Sequence, residues 1–291
     1  MSRLLMVAIV AGTVFTSLRA QPARSDKASA AEQRYAAALN EFRAGGVAGP
    51  AVKAFFDALP HVDGYLVIEG DVLMTDAEAV QSYLAPQAAA AAAAFPPGPE
   101  LKINVLPGGA FDLYAVTDRT LTYAVAKSSF PDAATYQQVV TNLAKATKAW
   151  EQACPTCKVK FTHLPNLDAA PSTAQANFVA RSFDSQGQYI AASFFPHDPP
   201  ARRFLNIDTS YFSTTFDHVG VLRHELGHVL GYRHEHIQGI PGCYLEDANW
   251  RPLTPYDKLS VMHYFCGGAG SLTLSLTKTD VRGHKLAYKM N

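Results

Sequence analysis

Apolar residues recur along this chain with two periods, one helical and one alternating, and the switches between them mark out its elements. From Ser25 to Arg43 an Ala- and Glu-rich stretch carries apolar positions at helical spacing, which predicts a helix stopped at Gly45-Gly46. A second, short helix is expected over Ala51 to Leu59. Tyr65-Leu66-Val67-Ile68 reads as a strand, leading through Glu69-Gly70-Asp71 into Val72-Leu73-Met74. Thr75 with Glu78 forms a capping box that opens a helix to about Leu84. Ala88 to Ala94 is helix-prone but featureless, and Pro96-Pro97-Gly98-Pro99 ends it as a linker.

Beyond the linker the pattern changes. Leu121 to Ala126 alternates as a strand and Asp132 to Glu151 has the spacing of a long helix. Strands are then expected at Lys158 to His163, Asn177 to Phe183, Tyr189 to Phe195 and Phe204 to Ile207. A further helix follows, with Thr214 or Thr215 as its cap and Val219, Leu222, Leu226, Val229 and Leu230 as its apolar positions. Thr277 to Met290 reads as a last helix, with Asp280 as a cap near its start. This order predicts an α+β fold: a mixed sheet with helices against one side, preceded by a smaller α/β unit. The boundary between the two falls between Pro96 and Asp118, because the strand-like pieces of Leu101 to Ala115 fit either side. We place the units at 21–117 and 118–291.

Chemistry concentrates in one helix. His224-Glu225-Leu226-Gly227-His228 puts two imidazoles one turn apart on one face, with Cβ atoms about 5–6 Å apart, a spacing that lets both reach one ion. Glu225 stands where it can reach a water on the metal rather than the metal itself, the use to which H-E-x-x-H is put. A third ligand six residues past His228, His234, can meet the same ion only if the helix ends, and Gly231 can take the positive φ that ends it. Three histidines leave a zinc ion one open position, which predicts a single catalytic zinc.

The first 20 residues change the picture of location. Arg3, an apolar run from Leu4 to Phe15 and small residues up to Ala20 read as a signal peptide, and the run is shorter than the roughly 18 residues a membrane span needs. A secreted or periplasmic chain with no membrane span in its mature part is the expectation. Its 25 basic and 25 acidic residues balance, which gives no reason to expect nucleic acid or an anionic membrane as partner. Four cysteines on an exported chain suggest two disulfides, for which three pairings are possible. A local bridge between Cys154 and Cys157 would leave Cys243 with Cys266; a redox centre or half a zinc site at Cys154 and Cys157 lacks a second pair nearby.

His224 to His234 fits the pattern H-E-x-x-H-x-x-G-x-x-H of the metzincins, and Ser260-Val261-Met262-His263-Tyr264 resembles their Met-turn. Within that clan Glu235 after the third histidine, and Tyr256 ahead of the turn, resemble the astacins, while Ala191 to Pro196 looks more like the matrixins. The resemblance covers about Leu121 to Met290 and implies a zincin fold with a mostly parallel twisted sheet, an active-site helix and a C-terminal helix. It implies Met262 as the apolar floor beneath the zinc and Tyr264 as a phenol that stabilises the tetrahedral oxyanion. Ile68-Glu69-Gly70-Asp71 resembles the F-x-G-D of astacin pro-segments, which implies that Asp71 caps the metal before activation. It also implies that Glu235 contacts a freed N-terminus, although Ile237 to Gly242 departs from the astacin sequence at that point. The remaining histidines show no comparable ligand spacing and read as ordinary polar residues, a matrixin-like second ion at His197-Asp198 being the alternative.

The function expected is therefore a secreted zinc metalloendopeptidase with Glu225 as general base, acting on polypeptide substrates that pair with the edge of the strand Tyr189 to Phe195. Two alternatives stand beside it: an exported zinc hydrolase of a non-protein amide, and a metzincin-shaped binding module without turnover. The intact Glu225 argues against the last, which needs only the histidines.

Overall fold

The computed structural model describes residues 24–45, 49–68, 70–80, 101–106, 108–238, 240, 243, 250–263 and 265–289. The expected signal peptide, the alanine tract, the proline linker and Tyr264 lie outside the described residues.

The N-terminal unit consists of helices α1 (Arg24–Gly45) and α2 (Pro50–Asp57) against a small antiparallel sheet, β1 (His61–Val62), β2 (Tyr65–Ile68) and β3 (Val72–Met74), in the order β1-β2-β3. Pro50 opens α2 at its first turn, where its missing N–H is no loss. Asp63 and Gly64 both take positive φ, 53° and 81°, as a two-residue hairpin turn between twisted strands requires. The small core of this unit is built from Ala38, Val52, Phe55, Phe56, Leu66, Ile68 and Ala79. After Thr75 the described chain makes one helical turn, Asp76–Glu78, and the rest of the helix expected to Leu84 lies outside the described residues.

The larger unit is organised on a five-stranded sheet in the order β6-β5-β7-β9-β8. Its strands are β5 (Thr120–Val125), β6 (Lys160–His163), β7 (Phe178–Ser182), β8 (Ala191–Ala192) and β9 (Phe204–Ile207). All neighbouring pairs are parallel except β8 with β9, so β8 is an antiparallel edge. Only two residues of the expected strand Tyr189 to Phe195 are strand. The segment is held instead by Asp208, whose carboxylate accepts from the Ser185 N–H and hydroxyl, and by Asp198, which accepts from the Phe195 N–H.

Two helices cover one face of this sheet. In α3 (Ala133–Ala153) the buried residues Val139, Leu143, Ala146, Trp150 and Ala153 form one helical stripe, and Asp132 caps it by accepting from Thr135 N. The helix α4 (His218–Val229) is capped by Asp217, which accepts from Gly220 N, and not by Thr214 or Thr215. A carboxylate facing the exposed N–H groups and the positive end of the helix dipole is the stronger cap. Leu222, Leu226, Val229 and Leu230 enter the core as expected, and Trp150 reaches over to donate to Arg223 O. The last helix, α5 (Lys278–Lys289), packs its Ala287 and Tyr288 into the same core.

A third sheet, β10-β4-β11, joins β4 (Lys102–Asn104) to β10 (Tyr232–Arg233) and β11 (Trp250–Pro252). Leu101 and Ile103 belong to the large core, whose members all come from residue 101 onward. The stretch that the sequence leaves assignable to either unit thus packs with the second, against the two residues that lead into His234. The N-terminal sheet lies on the opposite face of the five-stranded sheet from α3 and α4, where Val62 and Val67 meet Tyr189 and Ala192.

Candidate metal centre and active site

The turn between β2 and β3 reaches round the β8 edge. Val72 makes a parallel bridge to Ser193, and Gly70, at φ 93°, turns the chain so that the following residue, Asp71, enters the cleft. There it meets His224, His228 and His234, all four side chains buried. The Nε2 atoms of His224 and His228 each lie 3.2 Å from Nε2 of His234. Asp71 Oδ2 is 3.3 Å from His224 and His234 and 3.7 Å from His228.

These distances have a chemical meaning. His224 Nδ1 lies 2.7 Å from Val261 O, and His228 Nδ1 lies 2.8 Å from Tyr232 O. Each carbonyl can only accept, so each Nδ1 carries the proton and each Nε2 turns a lone pair inward. Lone pairs converging on one point, with a carboxylate oxygen beside them, repel unless a cation lies between. Ligands about 2.0–2.1 Å from a zinc ion sit about 3.3–3.4 Å apart at the corners of a tetrahedron, and the donors match that spacing. The donor set fits zinc. Asp71 is held well below the usual carboxylate range: burial pushes its pKa up, but the neighbouring His234 and His228, with hydrogen bonds from His224 and His228, outweigh it. Burial lowers His228 to about 4, which keeps its imidazole neutral as a ligand must be.

Glu225 sits beside the cluster without joining it, 3% exposed, and its Oε2 has no hydrogen-bond partner among the described residues. Burial first, and then the Asp71 carboxylate, push its pKa well above the usual value. Ser193 at the sheet edge donates to Glu225 O at 2.9 Å and so ties the helix to the edge strand.

Two backbone devices shape the site. At Gly231 φ is 90°, and Gly231 N donates to His228 O, closing a helix that ends at Val229, one residue past the second ligand. A Cβ there would fall inside the carbonyl of Asp112. Gly231→Ala is therefore expected to destabilise the chain by roughly 2–5 kcal/mol, combining a left-handed backbone with an overpacked contact. Denaturant unfolding checks this; a midpoint unchanged from the parent would show that the turn relaxes freely.

The Met-turn lies below. Met262, fully buried, touches Gly227 between the two helix ligands, and its carbonyl accepts from Glu235 N. Asp280 does more than cap α5. Its carboxylate accepts from Ser260 Oγ and Val261 N as well as from Thr277, so it fixes the turn whose Val261 carbonyl orients His224. The sequence shows Asp280 only as a cap because its partners lie 19 and 20 residues away.

Glu235, next to the third ligand, lies inside the protein. It is fully buried and accepts from Asp257 N, while its Oε2 finds no hydrogen bond among the described residues. Among the described residues His197-Asp198 is part of no metal-ligand cluster: His197 Nδ1 pairs with Asp112 at 2.5 Å, and Asp198 accepts from Phe195 N. The other cluster of possible ligands, His236, His263 and Cys266, is closed to metal because Cys266 is bonded to Cys243. Cys154 and Cys157 form the second disulfide.

The His197–Asp112 pair carries a pH dependence. Burial works to lower the His197 pKa, but the hydrogen bond and charge of Asp112, helped by Asp198 and opposed by Arg202, raise it above 6.5. A group whose pKa is raised on folding stabilises the fold fully below its unfolded value, and that contribution is lost as pH rises through the folded value. Thermal unfolding should show stability declining as pH rises from about 6.5, with His197→Gln flattening this part of the profile. An unchanged slope in the variant would remove His197 from the account.

The family model of the matrixins, Peptidase M10, matches residues 115–244, the span from just ahead of β5 to beyond the three histidines. Residues 115–244 thus match a matrixin-type zinc metallopeptidase domain. This metzincin domain holds the expected mixed, mostly parallel sheet and the three-histidine cluster. A comparison with curated proteins gives no match. One solved structure, "Structure of a chaperone-substrate complex", is similar at 13% identity over 64% of this chain and 37% of that one, with a TM-score of 0.29. That likeness is too slight to carry an argument, and this chain spans just over a third of the other's length. Among the described residues no helix is long and apolar enough to cross a membrane.

Proposed function

We propose that this chain is an exported zinc endopeptidase whose N-terminal unit keeps it latent. The observation that carries the reading is the convergence of three imidazole Nε2 atoms on one buried point, with Glu225 at its side and outside the ligand set. His224, His228 and His234 would hold the zinc. A zinc ion there supplies a Lewis acid for a carbonyl oxygen and makes water a competent nucleophile at neutral pH.

The chain's own groups do the rest. Glu225 takes the proton of the attacking water and returns it to the departing amine, so that no covalent enzyme intermediate is needed. Its burial and raised pKa suit an acid that must give the proton back. Met262 beneath Gly227 and the carbonyls of Val261 and Tyr232 keep the imidazoles in register, and Tyr264 is assigned to the oxyanion by the metzincin resemblance. An extended polypeptide would add to the edge beside β8 that Val72 covers at Ser193 in the unprocessed chain.

Asp71 acts as a fourth ligand in the unprocessed chain. Its Oδ2, 3.3 Å from the Nε2 atoms of His224 and His234 and 3.7 Å from that of His228, would take the place that water needs for hydrolysis, so the group that completes the site would also block it. This aspartate, with the Glu that follows the third histidine, supports an astacin-like character inside a matrixin-type domain. The test is cleavage of casein by secreted material from which the N-terminal unit has been removed. Activity lost to a chelator and restored by one equivalent of zinc is the expected result. A folded, zinc-replete enzyme that cuts no protein or peptide would overturn the peptidase reading.

A further inference from the structure

On the face of the sheet away from the helices, the N-terminal unit covers a cleft lined by Leu73, Arg181, Phe183, Arg202, Phe204 and Asn206, among others. Arg181 is built into this cleft and not merely left at the surface. Its Nε donates to Asn206 Oδ1 at 2.7 Å, and its guanidinium lies 3.9 Å from the Phe204 ring centre and 5.2 Å from that of Phe183. Asparagine on one side and two aromatic rings on the others hold the guanidinium, with Nη2 toward Asp63. Two acidic groups stand there: Asp198, nearly buried and 3.5 Å from Arg202 Nη2, and Asp63, at the tip of the β1–β2 turn, 3.9 Å from Arg181 Nη2 and with its own side chain 61% exposed. The Asp63 contact is long and open to solvent. Arg202 meets the same N-terminal sheet through its main chain, with Nη2 donating to Leu73 O at 2.7 Å.

The lane is the one a substrate would use. Val72 bridges the edge at Ser193, so the next residue, Leu73, lies along the edge, two residues or about 7 Å from the aspartate at the metal cluster. We propose that Arg181 and Arg202 form a substrate subsite for an acidic polypeptide: Arg202 grips a main-chain carbonyl of the extended chain, and Arg181 takes an Asp or Glu side chain two or three residues from the cleaved bond. The Leu73 carbonyl and the Asp63 carboxylate fill these two places in the unprocessed chain. The N-terminal unit is thus a stand-in for substrate at the subsite as well as at the metal. This specificity rests on the peptidase reading above. It adds to that reading a charge preference set on the back face of the sheet and outside the three-histidine site.

The test uses full-length chain trimmed by limited trypsin after folding, since the large core draws no residue from before Leu101. Peptide pairs differing only in Glu or Gln are scanned from four residues before to four after the cleaved bond, and kcat/KM is taken as the Glu/Gln ratio, which cancels any general change in activity. One position two or three residues from the bond should favour Glu by about tenfold or more, as a charge-assisted bidentate contact does. Arg181→Gln should bring that ratio close to one, and Arg181→Lys should restore part of it. The same labelled peptides, titrated by fluorescence anisotropy onto the trimmed Glu225→Gln chain, read binding without turnover. A ratio near one at every position in both assays, or a preference that survives Arg181→Gln, overturns the subsite. Selective binding that disappears in Arg181→Gln, without cleavage of either peptide by the parent, leaves the subsite standing and defeats the peptidase reading.

Discussion

Replacing Glu225 by glutamine is expected to lower kcat for peptide hydrolysis by about 10²–10⁴-fold, the usual contribution of a positioned general base. The substitution keeps the size and planarity of the side chain and removes only its ability to carry a proton. Glu225 lies outside the ligand set, so zinc content should stay at one per chain. The fold should gain slightly if anything, because a carboxylate buried to 3% exposure with an unpartnered oxygen is costly to hold in its charged form. The decisive measurements are steady-state kinetics on the processed enzyme together with native mass spectrometry for bound metal. A variant that keeps zinc and still hydrolyses at a rate near the parent's would remove Glu225 from the chemistry. A variant that loses zinc would make it a structural residue of the cluster.

The residues of the metal site are legible in the sequence because their relations are short. His224 and His228 share a helix face, and the left-handed glycine that His234 needs can be seen three residues before it. Leu222, Leu226, Val229 and Leu230 are legible for the same reason, as helical periodicity states which side faces the core. What escapes is whatever depends on contact between distant segments. Asp217, two residues past the threonines expected as caps, takes the N-terminus of α4 because the chain arrives there held by its N–H to Leu272 O. The strand at Tyr189 to Phe195 shortens to Ala191–Ala192 because Asp198 and Asp208 satisfy its flanking backbone groups with side chains in place of a ladder.

The site's outer support is of the same kind. Asp280 on the Met-turn, Asp112 on His197 and against Gly231, and Ser193 on Glu225 are single polar residues without local pattern. Each becomes meaningful only once the sheet brings its partner close. Asp71 stands between the two cases. Four residues of weak motif suggest it, and 163 residues of separation from His234 would otherwise hide it. Its place in the cluster follows from the tight β2–β3 turn, which puts the residue after a positive-φ glycine at the end of the edge strand.

Asp71→Ala should make the unprocessed chain at least about tenfold more active on peptides than the parent. A charge-assisted link worth about 1.5–3 kcal/mol corresponds to a factor of roughly 10–150 in the closed-to-open ratio. The rise should remain below full release. The apolar contact of Val62 and Val67 with Tyr189 and Ala192, and the hold of Arg202 on Leu73 O, still seat the N-terminal sheet over the edge when the carboxylate is gone. Asp71→Asn, which keeps the shape and a weaker donor atom, should fall between the two. A second readout separates capping from a loosened fold: in cobalt-substituted full-length chain, exchange of a carboxylate for water changes the visible spectrum, whereas a merely destabilised N-terminal unit would leave it as in the parent. Equal activity and an identical cobalt spectrum in Asp71→Ala and parent would mean that the carboxylate does not occupy the fourth position. Latency would then rest on the covered edge of β8 alone.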